Sequence, residues 1–562
     1  MSIYDKASLV LIPSGTKTSK VYSQKPVSGD GDFTFSRSTM ATRVNADGNI
    51  EKETQNLLLQ SNSFNTTWTK SVSITATSGQ SDRDGGTDAW LLKRSDAGAR
   101  YIQQSVSWSG VNTFSFYAKP ESEDWIYWGS SSGNAYGYIN VNDGTIGSNV
   151  GALVISQKAT SVGNGYYRVE AVVNATLTYL RLYPAVGDGT IVGSVTDAGV
   201  YIQDAQLEQG LVARDYIETT TSAVEGGITD NVPRLDYTDS SCPALLLEPQ
   251  RTNSLTHSEY FGDWNVYRGS LTANDATSPE GVDNAYRYEE NSDTGQHFVR
   301  KTISMTSGTT YTASAFVKAD EITSVRLGSS SVANWNASAT FNLSNGSVSS
   351  GTGTIEDYGN GWYRCIVTAA CTTTATIGLE ITTSSGAGSS GDGLYIYGAM
   401  IEAGSYATSY IPTYGTSVTR NQDLCYITNL KNDVTTGATK GSVMIDFTRE
   451  GYHSTGDAIQ VYGDSSNGRG YVYNTGVGFA SNWGLGAFNI TYGNDYKVLY
   501  RLNTLSTGNI FLNGSKSSDA SGTSWGSINA IYLRGNFGTL KIRQVLVLTT
   551  ALSDADAIDL TT

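Results

Sequence analysis

The sequence predicts an all-β protein in which an N-terminal extended arm is followed by three β-sandwiches. Its composition favours sheets and turns: Gly and Tyr contribute 61 and 35 of the 562 residues, and only 16% are charged. No long stretch repeats with helical periodicity. Strand-like stretches recur roughly every ten residues between Gly, Ser, Asn and Asp turns, a spacing typical of jelly-roll sandwiches. The third observation is that the chain repeats itself.

The repeat divides the chain into domains. Residues 163–168 read Gly-Asn-Gly-Tyr-Tyr-Arg and residues 359–364 read Gly-Asn-Gly-Trp-Tyr-Arg, an offset of 196. So long an interval fits a duplicated whole domain and not a solenoid repeat. We predict an arm over 1–55, sandwich copy 1 over 56–223, a connector over 224–252, sandwich copy 2 over 253–418, a connector over 419–439 and a C-terminal sandwich over 440–562.

The arm is the one predicted segment without a core of its own. Residues 9–12 and 32–37 are each apolar or alternating enough to form a strand. Because the arm is short and polar, it cannot bury a hydrophobic core alone. We therefore expect it to pack on a neighbouring domain.

Charge and residue spacing exclude several classes of function. The net charge of −15 argues against nucleic-acid binding, since no basic stripe offsets phosphate repulsion. No run approaches the ~20 apolar residues of a membrane span. Residues 1–13 lack the regions of a signal peptide, so we expect cytosolic synthesis and release by lysis. The four cysteines and three histidines show no ligand spacing, so no metal and no cofactor is expected.

Features that both copies share are interpreted as scaffold. The two glycines of Gly-Asn-Gly are suited to a turn, and the aromatic residue after them to anchoring a strand. Glu208 and Glu402 occupy matching places and invite a catalytic interpretation. A glycosidase needs a second carboxylate about 5–10 Å away, and neither copy offers one in common. We therefore expect a structural hydrogen-bonding role for both glutamates.

Features that the copies do not share are the candidate binding residues. Alignment places Trp125 and Tyr127 on Ser324 and Arg326, on the non-core face of a strand in copy 1 only. Flat aromatic faces stack on pyranose rings, so this pair is a candidate glycan platform. Burial under the arm or in a subunit contact is the alternative, and we weigh it above the platform. Further glycan candidates, for which ordinary packing is the alternative, are Trp335, Trp483 and Trp525.

Several motifs carry a resemblance to known families. Within 440–562, a strand meeting an Asn-Gly turn at 513–514, a final β-run and Ala-Leu-Ser-Asp-Ala at 551–555 resemble laminin-G or concanavalin-A-like lectin sandwiches. The duplicated unit, with Gly-Asn-Gly-aromatic-Tyr-Arg at 163–168 and 359–364 and Ala-x-Leu-Glu-x-Gly at 205–210, resembles the carbohydrate-binding-module-like sandwiches of tailed-phage virion proteins. The opening Ser-Ile-Tyr-Asp-Lys-Ala-Ser-Leu is similar to phage structural proteins too.

The resemblance implies a non-enzymatic virion fibre or decoration protein that displays carbohydrate-binding modules for host adhesion or particle stabilisation. The arm would dock to other virion proteins, the chain would form a homo-oligomer, and host-surface glycans would be ligands. Weak glycan contacts would gain by avidity in such an oligomer. One alternative is a virion-associated polysaccharide depolymerase or glycosidase. Another is an architectural capsid or tail component without glycan binding.

Overall fold

The computed structural model describes residues 2–193, 197–384, 386–436, 438–464, 468–479, 488–521 and 526–562. The predicted all-β class is confirmed, since the chain forms three β-sandwiches whose described strand pairs are all antiparallel. The described helices are short: Ile3–Lys6, Leu430–Asp433 and Asp554–Thr561, with 3-10 turns at Phe261–Asp263 and Gly535–Phe537. Within these ranges, no helix has the length and apolar character needed to cross a membrane.

Copy 1 packs a six-stranded sheet against a five-stranded sheet. In spatial order the six strands are Val154–Gly163, Tyr166–Asn174, Val111–Pro120, Ala198–Gln209, Ala89–Arg94 and Ile74–Gln80. The five strands are Tyr136–Asn140, Trp125–Ser130, Leu177–Ala185, Ile102–Trp108 and Thr69–Lys70. Alternate residues of both sheets meet in one apolar core, which holds Phe114, Ile126 and Trp128.

Copy 2 has the same strand order with one strand more. Its first sheet is Gly353–Asp357, Trp362–Ala370, Thr310–Ala319, Gly393–Ala403, Asp283–Glu290 and Gly269–Thr277. Its second is Ser347–Gly351, Ser338–Asn342, Ser324–Ser329, Ala375–Ser384, His297–Met305 and Asn265–Tyr267. Two-stranded ribbons close the ends of the copies: Thr54–Asn56 with Val224–Gly226, and Arg251–Asn253 with Val418–Arg420. Arg43–Val44 pairs with Ile50–Glu51 in a third ribbon.

The Gly-Asn-Gly turn has the architectural role that the sequence indicates. In both copies all three residues have positive φ, including Asn164 at 50° and Asn360 at 52°. Only glycine and asparagine adopt this region at little cost, which explains the motif. The following aromatic residue is buried in each copy. The Tyr166 hydroxyl donates to the Ser81 carbonyl (2.8 Å), and Trp362 Nε1 donates to the Thr277 carbonyl (3.0 Å).

The C-terminal sandwich is assembled from three separate parts of the chain, 9–36, 234–247 and 424–548. Its first sheet is Arg234–Asp236, Ala244–Leu247, Thr539–Leu548, Gly441–Glu450, Asn494–Thr504, Thr507–Leu512 and Ser515–Lys516, with Leu9–Leu11 and Ala520–Ser521 added. Its second is Thr16–Lys17, Lys20–Val21, Phe33–Ser36, Leu424–Ile427, Ile528–Arg534, Asp457–Gly463, Arg469–Tyr473, Gly476–Phe479 and Phe488–Asn489. Copies 1 and 2 are therefore insertions between strands of this sandwich.

The N-terminal segment differs from the predicted separate arm. Leu9–Leu11 pairs with the strand Thr539–Leu548, and Phe33–Ser36 pairs with Leu424–Ile427. Leu9, Phe33 and Phe35 are at most 1% exposed in the core of the C-terminal sandwich. This core extends over strands from both termini, so the boundary at residue 440 excludes strands that belong to the domain.

A buried ionic cluster joins the segments where the chain leaves and re-enters this sandwich. Asp423 pairs with Arg37 (3.1 Å) and with Arg234. Glu248 pairs with Arg234 (2.6 Å) and Arg420 (2.9 Å). Burial alone would raise the pKa of Glu248, but Arg420 and Arg234 hold it well below its usual range. The cluster thus ties the N-terminal segment to both connectors.

Candidate ligand-binding face

The outer face of the five-stranded sheet of copy 1 carries the predicted pair Trp125 and Tyr127. Ile126 and Trp128 point into the core and are fully buried, whereas Trp125 and Tyr127 are half-buried on the opposite face. This is the alternation that the sequence predicts for the strand. The strands Leu9–Leu11 and Phe33–Ser36 pack in the C-terminal sandwich, and Ile50 packs with residues of copy 2, so these parts of the predicted arm are engaged elsewhere.

Strand register extends this pair into a row of tyrosines. Tyr127 lies directly opposite Tyr138 on one neighbouring strand and Tyr183 on the other. The ring centroid of Tyr127 is 4.8 Å from that of Tyr138 and 4.9 Å from that of Tyr183. Tyr101 continues the line, 5.2 Å from Tyr183. These four residues form the tyrosine row, which crosses three strands and ends at the residue before the strand Ile102–Trp108. Tyr138 and Tyr183 are 6% and 7% exposed, and Tyr101 and Tyr127 are more exposed.

Copy 2 has no such row at the matching register. Arg326 stands where copy 1 has Tyr127, opposite Thr340 and Thr382. Glu380 lies two residues before Thr382 on the strand Ala375–Ser384. It accepts hydrogen bonds from Arg300 Nε (2.8 Å) and Arg326 Nη2 (2.6 Å). The tyrosine row is therefore specific to copy 1 and is not a requirement of the shared fold.

Three tyrosines of the row, Tyr127, Tyr138 and Tyr183, have raised pKa values and keep neutral hydroxyl groups. Burial, reinforced by the neighbouring tyrosines, raises the pKa of Tyr127 well above its usual range. The pKa values of Tyr138 and Tyr183 are also raised, again mainly by burial. Each phenol can thus both donate and accept a hydrogen bond at neutral pH. The row combines flat apolar rings with polar edges, as a surface for polyols requires.

Polar residues frame the row along one side. Tyr136 lies two residues from Tyr138 on the same strand, and its hydroxyl donates to Asn149 Oδ1 (3.3 Å). The loop that contains Asn149 is held by Asp188, which accepts from the backbone nitrogens of Ser148 (2.7 Å) and Asn149 (3.1 Å). The frame is thus fixed by hydrogen bonds within copy 1.

The other predicted tryptophans do not join this face. Trp335 is fully buried in the core of copy 2, and its Nε1 donates to the Ala369 carbonyl (3.0 Å). The prediction that Trp335 is an exposed glycan contact is therefore wrong: its neighbours Asn334 and Asn336 suggested a surface loop, but that loop folds the indole inward. Trp483 and Trp525 lie outside the described residues.

A second aromatic face, which sequence reasoning missed, lies on the C-terminal sandwich. The rings of Tyr426 and Tyr532 stack at 5.5 Å with 15° between their planes, and Tyr462 contacts Tyr532 edge-on at 5.7 Å. These residues come from strands that are remote in sequence, so no local motif connects them. The sequence signal that could have indicated this face is alternation, because each of these tyrosines lies between buried residues of its strand and so points away from the core.

A cleft of about 730 Å³ separates copy 2 from the C-terminal sandwich. Tyrosine rings and charged side chains line it, among them Tyr358, Tyr406, Tyr492, Arg364 and Lys541. Two of its carboxylates are engaged within the protein. Asp236 accepts from the backbone nitrogens of Val44 (3.0 Å) and Thr238 (3.3 Å), and Glu450 pairs with Lys541 (3.0 Å).

The matching glutamates of the two copies are also held by the protein itself. Glu402 accepts from the backbone nitrogen and hydroxyl of Thr408 and pairs with Arg251 (3.2 Å). Glu208 accepts from Gln206 Nε2 (2.7 Å) and from the backbone nitrogen of Arg214 (3.0 Å). These contacts anchor the segment that follows each long strand. Within the described ranges, no group of three or more His, Cys, Asp or Glu side chains could hold a metal ion.

Comparison with known proteins gives only partial likenesses. No protein-family model matches the sequence, and no curated protein matches it. Similar solved structures include the CBM40 domain of Ruminococcus gnavus IT-sialidase bound to α2,3 sialyllactose, at 15% identity and a TM-score of 0.19, covering 24% of this chain and 90% of that one. They also include the receptor binding domain of botulinum neurotoxin C/D mosaic serotype, at 13% identity and a TM-score of 0.21, covering 25% of this chain and 40% of that one. At such TM-scores neither likeness carries an argument about function.

Proposed function

We propose that the chain is a non-enzymatic, structural virion protein that binds host-surface glycans through copy 1. The tyrosine row carries this proposal, because it places aligned rings with neutral hydroxyl edges on one side of a sheet. Sugar C–H groups pack on the faces of such rings, while hydroxyl groups at the edges fix orientation. Trp125 lies two residues from Tyr127 on the same strand and extends the apolar surface.

The comparison of the two copies supports a binding role over a packing role. Both copies build the same sheet, but copy 2 fills the matching positions with Arg326, Thr340 and Thr382. The sandwich therefore folds without aromatic residues at these three positions, whereas Phe298, opposite Thr382, keeps an aromatic ring at the place of Tyr101. Tyr127, Tyr138 and Tyr183 therefore need a reason other than the fold. Tyr138 and Tyr183 are only 6% and 7% exposed and support the ring of Tyr127, so the partly exposed Tyr127 is the ring that would contact a ligand.

The virion part of the proposal rests on the sequence motifs. We propose docking to other virion proteins and a homo-oligomeric state, in which several copies of a weak site gain avidity. The N-terminal segment is integrated in the C-terminal sandwich, so docking would use the exposed surface of that sandwich and not a free arm. Negative-stain imaging of virions with an antibody against the C-terminal sandwich would locate the protein on the particle.

The glycan proposal is tested with the full chain on an array of bacterial surface polysaccharides. We expect binding by the wild type, loss of binding in Trp125→Ala and Tyr127→Ala, and unchanged binding in Arg326→Ala, the matched position in copy 2. Equal binding by all variants would place the glycan site elsewhere. Absence of any bound glycan would favour the architectural alternative, in which the tyrosine row is a contact between protein subunits. Release of reducing sugar from a polysaccharide would favour the depolymerase.

A further inference from the structure

A cation without a carboxylate partner among the described residues lies beside the tyrosine row. The Arg181 guanidinium lies 4.0 Å from the ring centroid of Tyr101 and 4.2 Å from that of Tyr179. Its Nε donates to Gln103 Oε1 (2.7 Å), and Nη1 donates to the Tyr183 hydroxyl at 3.4 Å. Burial lowers the pKa of Arg181, but its contacts with Tyr183, Tyr101 and Tyr179 raise it above its usual value. Among the described residues, no Asp or Glu forms an ion pair with Arg181.

The matching position in copy 2 has the opposite charge. Arg181 lies two residues before Tyr183 on the central strand, and Glu380 lies two residues before Thr382 on its counterpart. Glu380 forms ion pairs with both Arg300 and Arg326, so each of these arginines has a carboxylate partner. Copy 1 therefore has a cation at the place where copy 2 has the carboxylate that pairs with two arginines.

Arg181 also lies beside the exposed part of the tyrosine row. It is directly opposite Gly129 on the neighbouring strand. The Tyr127 ring covers Gly129, since a Cβ placed there would lie 2.7 Å from Tyr127 Oη. Adjacent strands are about 4.8 Å apart, so the Tyr127 ring and the Arg181 side chain are lateral neighbours.

This arrangement is suited to a sugar that carries a carboxylate. Stacking on aromatic rings holds the guanidinium plane in place, so little entropy is lost when it binds. Its Nη2 has no hydrogen-bond partner among the described residues. A planar guanidinium recognises a carboxylate through parallel N–H donors, which adds geometric specificity to charge attraction.

We propose that the tyrosine row selects anionic glycans, with the sugar carboxylate on Arg181 and the sugar ring on Tyr127. The proposal rests on the proposed glycan-binding function and names its ligand class, which comprises hexuronic acid and sialic acid residues. The net charge of −15 opposes general attraction of polyanions, so selectivity has to come from this local cation. Charge attraction across a half-exposed site also implies weaker binding at high salt.

The test uses two matched pairs of ligands and the full chain. One pair is trigalacturonate and its carboxyl-reduced form, and the other is sialyllactose and lactose. We expect the wild type to bind the acidic member of at least one pair about tenfold more tightly, in keeping with a charge-assisted hydrogen bond. The pair that shows the preference identifies the source of the carboxylate. Calorimetric titration measures all four affinities.

Variants assign the preference to Arg181. Arg181→Gln should bind both members of the pair equally, Arg181→Lys should keep part of the preference, and Arg326→Gln in copy 2 should behave as the wild type. If the wild type binds the neutral and acidic members equally, the proposal that the tyrosine row selects anionic glycans is overturned, while the proposal that the protein binds glycans is supported. If it binds no glycan at all, both proposals fail. The wild-type comparison holds whether or not a variant folds.

Discussion

The ring of Tyr127 covers the backbone of Gly129, two residues further along the same strand. A Cβ at position 129 would lie 2.7 Å from Tyr127 Oη and 2.8 Å from Cε1, closer than van der Waals contact permits. The ring has little room to retreat, because Tyr138 and Tyr183 pack on it at 4.8 and 4.9 Å. Glycine at 129 therefore sets the position of the central ring of the tyrosine row.

We expect Gly129→Ala to shift the Tyr127 ring and to disorder the row. Overpacking of this kind costs about 1–3 kcal/mol of unfolding free energy. The measurement is the near-UV circular dichroism of tyrosine together with the denaturation midpoint. Gly328→Ala is the matched control and should cost less, because its Cβ would meet the movable ends of Arg326 and Ser338 and would lie 3.0 Å from the Ala337 carbonyl oxygen, with no aromatic ring against it. Equal effects of the two substitutions would mean that the Tyr127 ring is not fixed by its neighbours.

The second prediction concerns the N-terminal segment. Phe35 is 1% exposed in the core of the C-terminal sandwich, whereas Thr34 on the same strand points outward. We expect Phe35→Ala to lower the unfolding free energy by about 3–5 kcal/mol, through lost burial and the cavity left behind. Thr34→Ala should change it by less than about 0.5 kcal/mol. Urea denaturation measures both. If the Phe35→Ala protein were as stable as the wild type, the result would favour the original prediction of a separate N-terminal arm.

The tyrosine row shows what a local sequence pattern can and cannot predict. Alternation along one strand predicts that Trp125 and Tyr127 point away from the core, because side-chain direction is set within the strand. It does not predict that Tyr101, Tyr138 and Tyr183 align with Tyr127, since register between strands depends on tertiary pairing.

The C-terminal sandwich shows most clearly that strand pairs between distant parts of the chain cannot be predicted from local sequence patterns. Leu9 pairs with Val547, and Leu424 pairs with Ser36. No pattern within either strand contains this information, so a segment that looked too small for a core was assigned to a separate arm. Trp335 shows the same limit for a loop, because polar neighbours in sequence did not reveal its buried tertiary contacts.

The third prediction concerns the buried ionic cluster. Asp423→Asn removes the carboxylate that pairs with the buried Arg37 and one of the two that pair with the buried Arg234, which keeps Glu248. Loss of one partner from a buried ion pair costs about 3–5 kcal/mol, since the remaining charge is left uncompensated. We expect a correspondingly lower denaturation midpoint. Asp96→Asn is the control: the partner of Asp96 is Arg100 and both side chains are partly exposed, so the midpoint should hardly change. A small effect of Asp423→Asn would show that water replaces the lost charge.

Glu208 and Glu402 occupy matching places but differ in their partners. Glu402 pairs with Arg251 at 3.2 Å, whereas Glu208 accepts from the Gln206 amide and a backbone nitrogen. Burial raises the pKa of Glu208 to about 7, against the opposing effect of these hydrogen bonds. A raised folded pKa means that the native state binds more protons than the unfolded state between pH 4.5 and 7.

It follows that ionisation of Glu208 destabilises the fold as pH rises through this window. We expect Glu208→Gln, which keeps an acceptor oxygen but cannot ionise, to gain up to about 3 kcal/mol over the wild type between pH 4.5 and 7. Below pH 4.5 the stability difference should be constant. Urea denaturation at a series of pH values measures it. Glu402→Gln is the matched control and should be the less stable of the two variants at pH 7, because Arg251 then lacks its carboxylate. Parallel curves for wild type and Glu208→Gln across the window would show that Glu208 titrates alike in the folded and unfolded states.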